Sequence, residues 1–241
     1  MNLLWTYPDT HKQTIYARVI CEGTLCFVDP VRLYTSRVST YARFVNLVCY
    51  PQGIRAYFRR SPHLRSGLRV LDAGCGSGIA TLALRDALLS KGIVPGSLQA
   101  FDLTPAMLDR FRSKLQKRAI HNVDIAQADV LDSQGLPAEW GNYDLIVAAS
   151  MFEYLPTERL SEGFRALRLR LKPDGKFVLF ITRRNWLTRP LIGRWWQANL
   201  YSKQELEEAL QKAGFTSVTF SQFPMPYRFL SLWGYIIEAK N

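Results

Sequence analysis

The 241-residue sequence predicts an α/β fold, a mostly parallel sheet covered by helices on both faces, and three observations carry that expectation. From residue 68 onward, short apolar runs alternate with segments whose apolar residues recur at helical spacing. The first run breaks at a glycine-rich turn that opens directly into a helical pattern. The length is that of one large domain, enough to bury a substantial core.

Each element has its own signal. Residues 68–73 are a short apolar run of the kind a buried parallel strand needs. Residues 79–89 place Ile79, Leu82, Ala83 and Leu88 at helical spacing, and 98–102 read as a second strand. Thr104 stands where an N-cap would, ahead of Pro105 at the first helical position, and Met107, Leu108, Phe111 and Leu115 share one face. A third strand is expected over 123–129. The uninterrupted apolar run 143–149 suits a central strand. A helix over 157–171 should end at the turn Lys172-Pro173-Asp174-Gly175, with a fifth strand over 176–182. Ser202 and Glu205 have capping-box spacing for a helix over 202–213, and Gly214 lies just past its end. Residues 216–223 and 233–239 supply the last strands. The head, residues 1–66, alternates weakly: 38–48 and 54–60 look helical, and 14–28 suits either a helix or a hairpin. It is expected to form part of a substrate lid on the domain at 67–241.

Composition narrows the class. No run approaches the ~18 apolar residues of a membrane span; residues 44–54 are too few and include Asn, Pro and Gln. The N-terminus lacks a basic stretch followed by an apolar one, so a cytoplasmic protein is expected. Cys21, Cys26, Cys49 and Cys75 form no CxxC pair and are expected as free thiols; with three scattered histidines, no metal site is expected. The net charge is +11, and it is uneven: residues 159–203 hold 11 basic and 2 acidic side chains, whereas 70–158 hold 7 and 11. Such a field favours anionic partners, among them an anionic membrane surface, an acidic small molecule or nucleic acid, or it is a solubilising surface.

The segment Val70-Leu71-Asp72-Ala73-Gly74-Cys75-Gly76-Ser77-Gly78 ends a strand and opens a helix. Its glycines allow a sharp turn and close approach of backbone to a ligand. The spacing is GxGxG, unlike the GxGxxG loop that holds a pyrophosphate. Asp72 would repel a pyrophosphate and suits a cationic group. Asp102, closing the next strand, can accept from ribose hydroxyls. Asp129, closing the third, can accept from an exocyclic amine.

Residues 70–78 resemble motif I of the class I S-adenosylmethionine (SAM) dependent methyltransferases. Phe101-Asp102-Leu103-Thr104-Pro105-Ala106-Met107-Leu108 resembles their second acidic motif, and 143–147 and 171–176 resemble the fourth strand and the turn that follows. The resemblance covers about 70–240. It implies a Rossmann-like, doubly wound sheet of seven strands with the last antiparallel, and SAM as cofactor, with S-adenosylhomocysteine as product. It carries SAM contacts onto Asp72, Gly74, Gly76, Asp102, Leu103, Asp129 and Val130, with Tyr41, Cys75, Gly78 and Ser150 expected to complete them. Residues 36–60, through Tyr41, Asn46, Gly53 and Arg59/Arg60, are also similar to the region ahead of motif I in the ubiquinone/menaquinone-biosynthesis C-methyltransferases. They depart from it at Ala42, where an Asp usually follows the Tyr, and small-molecule and lipid acceptors in general fit equally.

Methyl transfer is an in-line displacement, and a base helps when the acceptor loses a proton. After the fourth strand, Glu153 is the nearest carboxylate, with the phenol of Tyr154 beside it; the two are the candidate catalytic pair. The Asn/Asp-Pro-Pro-Tyr motif of nucleic-acid amino-group methyltransferases is absent there, which counts against methylation of DNA adenine or of cytosine N4. Residues 182–197 alternate arginines with tryptophans, so Arg183, Arg184, Trp186, Trp195 and Trp196, with Tyr201 following, are candidates for the acceptor site. The stretch could equally lie on a membrane surface, stack on RNA bases, or be a core helix with outward arginines. The expected acceptor is a small hydrophobic or anionic-headed molecule, such as a lipid, quinone-like or aromatic metabolite. An RNA or protein methyltransferase and a non-catalytic relative of the same fold stay open beside it.

Overall fold

The computed structural model describes residues 17–21, 24–28, 47–132, 135–194 and 198–241. In chain order these form β1 (Ala17–Cys21), β2 (Thr24–Val28), α1 (Tyr50–Arg60), β3 (Arg69–Ala73), α2 (Ile79–Ser90), β4 (Ser97–Asp102) and α3 (Pro105–Lys117). Then follow β5 (Asp124–Gln127), β6 (Tyr143–Ala149), α4 (Leu160–Arg168), β7 (Leu171–Thr182), α5 (Lys203–Lys212), β8 (Ser217–Ser221) and β9 (Gly234–Lys240). β1 and β2 pair as an antiparallel hairpin with Cys21 opposite Thr24, which settles the helix-or-hairpin alternative there. The other seven strands form one sheet in the order β5-β4-β3-β6-β7-β9-β8. β3 to β7 run parallel, and β9 lies antiparallel between β7 and β8. β6 is the middle strand, as its apolar run requires.

The two-residue period of the strands sorts their side chains into two cores. Leu71, Ala73, Ile146, Ala148, Phe177 and Leu179 face α4 and α5, which contribute Leu160, Phe164, Leu167, Leu206 and Leu210. Val70, Leu145, Val147, Val178 and Phe180 face α1 and α2, which contribute Ile54, Phe58, Ala83, Leu84 and Leu88. Each fully buried aromatic or aliphatic side chain is worth about 1.5–3 kcal/mol. Asp72 shares Val70's face and so points toward α2.

The departures from expectation have local causes. The turn at 172–175 does not separate a helix from a strand. β7 already begins at Leu171, opposite Tyr143, and the next pairing joins Leu145 to Lys176, so four residues bulge out of the ladder. Pro173 cannot donate to a neighbouring strand, and the chain loops out around it. The helix expected from 157 starts as a 3₁₀ turn, Thr157–Arg159, before α4. β5 ends at Gln127, which leaves Asp129 two residues past the strand. Thr104 is the N-cap of α3 but makes no capping bond with its side chain; its own N–H is taken by Asp102. The capping box of Ser202 and Glu205 on α5 is present in both directions. Of the helix expected at 38–48, residues 38–46 lie outside the described residues.

Candidate active site

From β3 the sheet grows one way through β4 and β5, and from β6 the other way through β7. Such a switch point leaves a crevice at the carboxyl ends of the two strands, where ligands of open α/β sheets bind. Here the crevice is a cleft partly open to solvent, with about 970 Å³ of empty space in all. Its walls include Gly74, Cys75, Gly76, Asp102, Leu103, Asp129, Val130 and Ser150, eight of the eleven residues expected to hold a cofactor. Gly78 sits at the N-cap of α2 instead, Asp72 lies beneath the loop, and Tyr41 is outside the described residues.

The loop's glycines are sterically required. Gly74 and Gly78 have φ of 67° and 81°, and a Cβ would collide with Met151 at the first and the Phe111 ring at the second. Lys114 of α3 holds the loop from behind, its Nζ donating to the Ser77 carbonyl at 2.8 Å and hydroxyl at 2.9 Å.

The acids under and along the crevice are shifted. Asp72 is 1% exposed; Thr81 Oγ1 donates to its Oδ2, while Oδ1 is buried with no partner. Burial pushes its carboxyl up to about 7, against the hydrogen bond from Thr81. Asp102 accepts the Gly76 N–H at 2.7 Å on Oδ2 and the Thr104 N–H at 2.8 Å on Oδ1. Burial still raises its carboxyl, and each oxygen keeps a lone pair for a further donor. Asp129 accepts from the Leu131 N–H at 2.9 Å, and it too is raised by burial. Burial raises the Cys75 thiol, which is thereby held protonated beside Asp72 and Asp102. The donor set fits SAM: an orphaned buried carboxylate suits a cationic amino-acid end, a two-oxygen acceptor suits ribose, and bare backbone allows close approach.

A second cavity adjoins the first, and Tyr50, Ser150 and Tyr154 line both. Its other walls are mainly apolar: Val48, Phe180, Ile181, Ile192, Phe223, Leu230, Trp233 and Tyr235. Among the described residues Glu153 is its one lining carboxylate. Glu153 is 1% exposed; Oε1 accepts the Thr182 N–H at 2.8 Å, and Oε2 is buried with no partner. Burial raises its carboxyl. At the junction of the cavities Tyr50 Oη and Ser150 Oγ are 3.3 Å apart, and Ser150 sits at φ 55°.

The arginines and aromatics expected around the acceptor are placed otherwise. Arg183 donates to the Ser231 carbonyl at 3.0 Å, and its guanidinium lies 5.1 Å from the Tyr235 ring centroid. Arg184 is bound by both Glu205 oxygens, at 3.0 and 2.8 Å. Trp186 is 84% exposed, and Tyr201 is 2% exposed in the core, donating to the Phe152 carbonyl at 3.4 Å. None of these four lines either cavity; Arg183, Arg184 and Tyr201 are bound within the protein, and Trp186 faces outward. Trp195 and Trp196 lie outside the described residues. The sequence reading missed Tyr50, Met151, Phe223 and Leu230. Tyr50 stands next to Pro51 at the start of a helix, and nothing local marks it as facing a site.

A family model described as "Methyltransferase domain" matches residues 70–175. The rice (Oryza sativa subsp. japonica) 2-methyl-6-phytyl-1,4-hydroquinone methyltransferase 1, chloroplastic, is 30% identical over 180 residues, 72% of this chain and 49% of that protein. The malonyl-[acyl-carrier protein] O-methyltransferase of Geobacter sulfurreducens is 30% identical over 162 residues, 62% of this chain and 56% of that protein. The highly reducing polyketide synthase easB of Emericella nidulans is 30% identical over 203 residues, 76% of this chain but 8% of the synthase. The chain thus spans a small part of the synthases it matches and about half of the single-function relatives. Among solved structures, PigF with SAH superposes with a TM-score of 0.67 at 22% identity, covering 87% of this chain and 61% of that one. Magnesium protoporphyrin IX methyltransferase from Synechocystis PCC 6803 gives 0.58 at 18%, covering 82% and 80%. These likenesses show the fold, and the family model shows a methyltransferase domain over residues 70–175. The glycine loop, acid pair and sheet order of that domain are those of the class I SAM-dependent methyltransferase fold.

Proposed function

We propose that the protein transfers a methyl group from SAM to a small hydrophobic acceptor held in the second cavity. The observation that carries this is the apolar chamber joined to the cofactor crevice through Tyr50, Ser150 and Tyr154, with the buried carboxylate of Glu153 on its wall. Relatives named for a phytyl hydroquinone support an aromatic acceptor with a lipid tail.

When bound, SAM supplies an electrophilic methyl on a sulfonium. Asp72 would balance its cationic end, Asp102 its ribose, and the backbone of 74–78 its close approach. The chain's own part would be to hold the acceptor's oxygen or carbon in line with that methyl and to take the proton the acceptor gives up. Glu153 takes the acceptor's proton on Oε2, since Oε1 is already fixed by Thr182. Tyr154, lining both cavities, orients the acceptor along the line of displacement.

The cations of residues 159–203 argue against RNA as acceptor, because many are consumed within the fold. Besides Arg183 and Arg184, Arg159 pairs with Glu162, Arg168 with the Ala213 carbonyl and Asn241, Arg170 with the Trp140 carbonyl and Lys172 with Asp144. The test is turnover against a panel of hydroquinones, phenols and acyl carboxylates, read as S-adenosylhomocysteine formed. Turnover with an apolar aromatic that is lost in Glu153→Gln, with SAM affinity kept, supports the reading. Turnover confined to RNA or protein would overturn it.

A further inference from the structure

We infer that the outer wall of the second cavity is a docking surface for an anionic lipid bilayer, from which a membrane-dissolved acceptor enters the chamber; this rests on the reading of that chamber as the acceptor site. A 3₁₀ segment, Tyr227–Leu232, forms part of the wall. In such a segment residues three apart share a face. Tyr227 and Leu230 turn inward onto the core, and Leu230 lines the cavity. Phe229 and Leu232, also three apart, turn outward and are 46% and 59% exposed.

Two neighbours extend this apolar edge. Met225, just ahead, is 64% exposed. Asn185 Nδ2 donates to the Leu232 carbonyl at 2.7 Å and the Arg183 N–H to the Trp233 carbonyl at 3.0 Å. These bonds fasten the next loop alongside and bring its tip, Trp186, 84% exposed, to the same edge. Four of the eight large apolar side chains exposed among the described residues therefore stand on two adjoining segments that wall one apolar cavity. Solitary exposed apolar residues need no account, but a cluster at a cavity's outer wall does.

Charge selects the occupant. Arg189 and Arg228, one on each segment, are exposed, and their guanidiniums make no hydrogen bond or ion pair among the described residues. The chain as a whole carries +11. Apolar tips beside free guanidiniums match the acyl–headgroup boundary of an anionic leaflet, where Trp is favoured. No described helix is long and apolar enough to span a membrane, so contact here is superficial.

The test is co-sedimentation of the whole protein with phosphatidylcholine vesicles, with and without phosphatidylglycerol, alongside calorimetric SAM binding and sedimentation velocity. The expected result is binding to the anionic vesicles, reduced by roughly tenfold or more in Phe229→Glu/Leu232→Glu and weakened in Arg228→Glu. SAM affinity should be unchanged in both variants, which also shows that they fold. Failure to sediment while SAM still binds overturns the docking inference alone; failure to bind SAM overturns the functional reading. A dimer that the double variant splits, with no vesicle binding, assigns the surface to a second copy and overturns the inference.

Discussion

Asp72 and Glu153 are each buried with one carboxylate oxygen unpartnered, and their consequences differ. For Asp72, burial raises the carboxyl to about 7. Below that pH it is neutral and offers no attraction to a cation; above it the charge returns. SAM affinity should therefore rise with pH, by up to about tenfold per unit between roughly pH 5 and 7, then level off. The same shift works in reverse on the unliganded fold. The contribution of Asp72 to that fold's stability should be full below about pH 4 and be lost as pH rises through about 7, because ionisation is resisted by burial. Asp72→Asn should flatten the affinity profile in calorimetric titrations across pH. Asp102→Ala removes the acceptor of two backbone N–H groups as well as the proposed ribose contact, so weakening of SAM binding by tenfold or more is expected. Glu153→Gln should leave SAM affinity intact and lower turnover by about 10²–10⁴. Steady-state kinetics with a responsive acceptor separate the two effects.

At the scale of elements, what could be read from the sequence was what is encoded locally. The glycine spacing 74–78 and Asp102 had to be where they are, because turn and acid are joined through neighbouring strands. The Ser202–Glu205 capping box closes within one helical turn and was legible for the same reason. Removing that cap with Ser202→Ala should cost about 1 kcal/mol in chemical denaturation. Gly78→Ala should cost more, about 1–3 kcal/mol, because a positive φ and the Phe111 ring both resist a side chain. Contacts that span the chain were not legible. Tyr50 meets Ser150 a hundred residues away, and Gly53 packs under Leu230 and Phe223. The arginines of 183–184 looked like ligand groups because their residue type suits anions. Their partners, Ser231, Tyr235 and Glu205, become visible only once α5 and β9 are in place.

For the whole molecule, the sheet does two jobs from one switch point. Strands β3 and β4 present the cofactor crevice, and β6, β7 and β9 carry the apolar chamber beside it. A ligand that binds only the folded state stabilises it by mass action, by about 2.7 kcal/mol at a hundredfold excess over Kd. The central claim is that the crevice takes SAM and the adjoining chamber an apolar acceptor. Native mass spectrometry of the purified protein, with and without added SAM, tests it most directly. A SAM or S-adenosylhomocysteine adduct, lost in Asp102→Ala, is expected, with a second, lipid-like or aromatic mass on the wild-type protein. No adduct at excess SAM would contradict it.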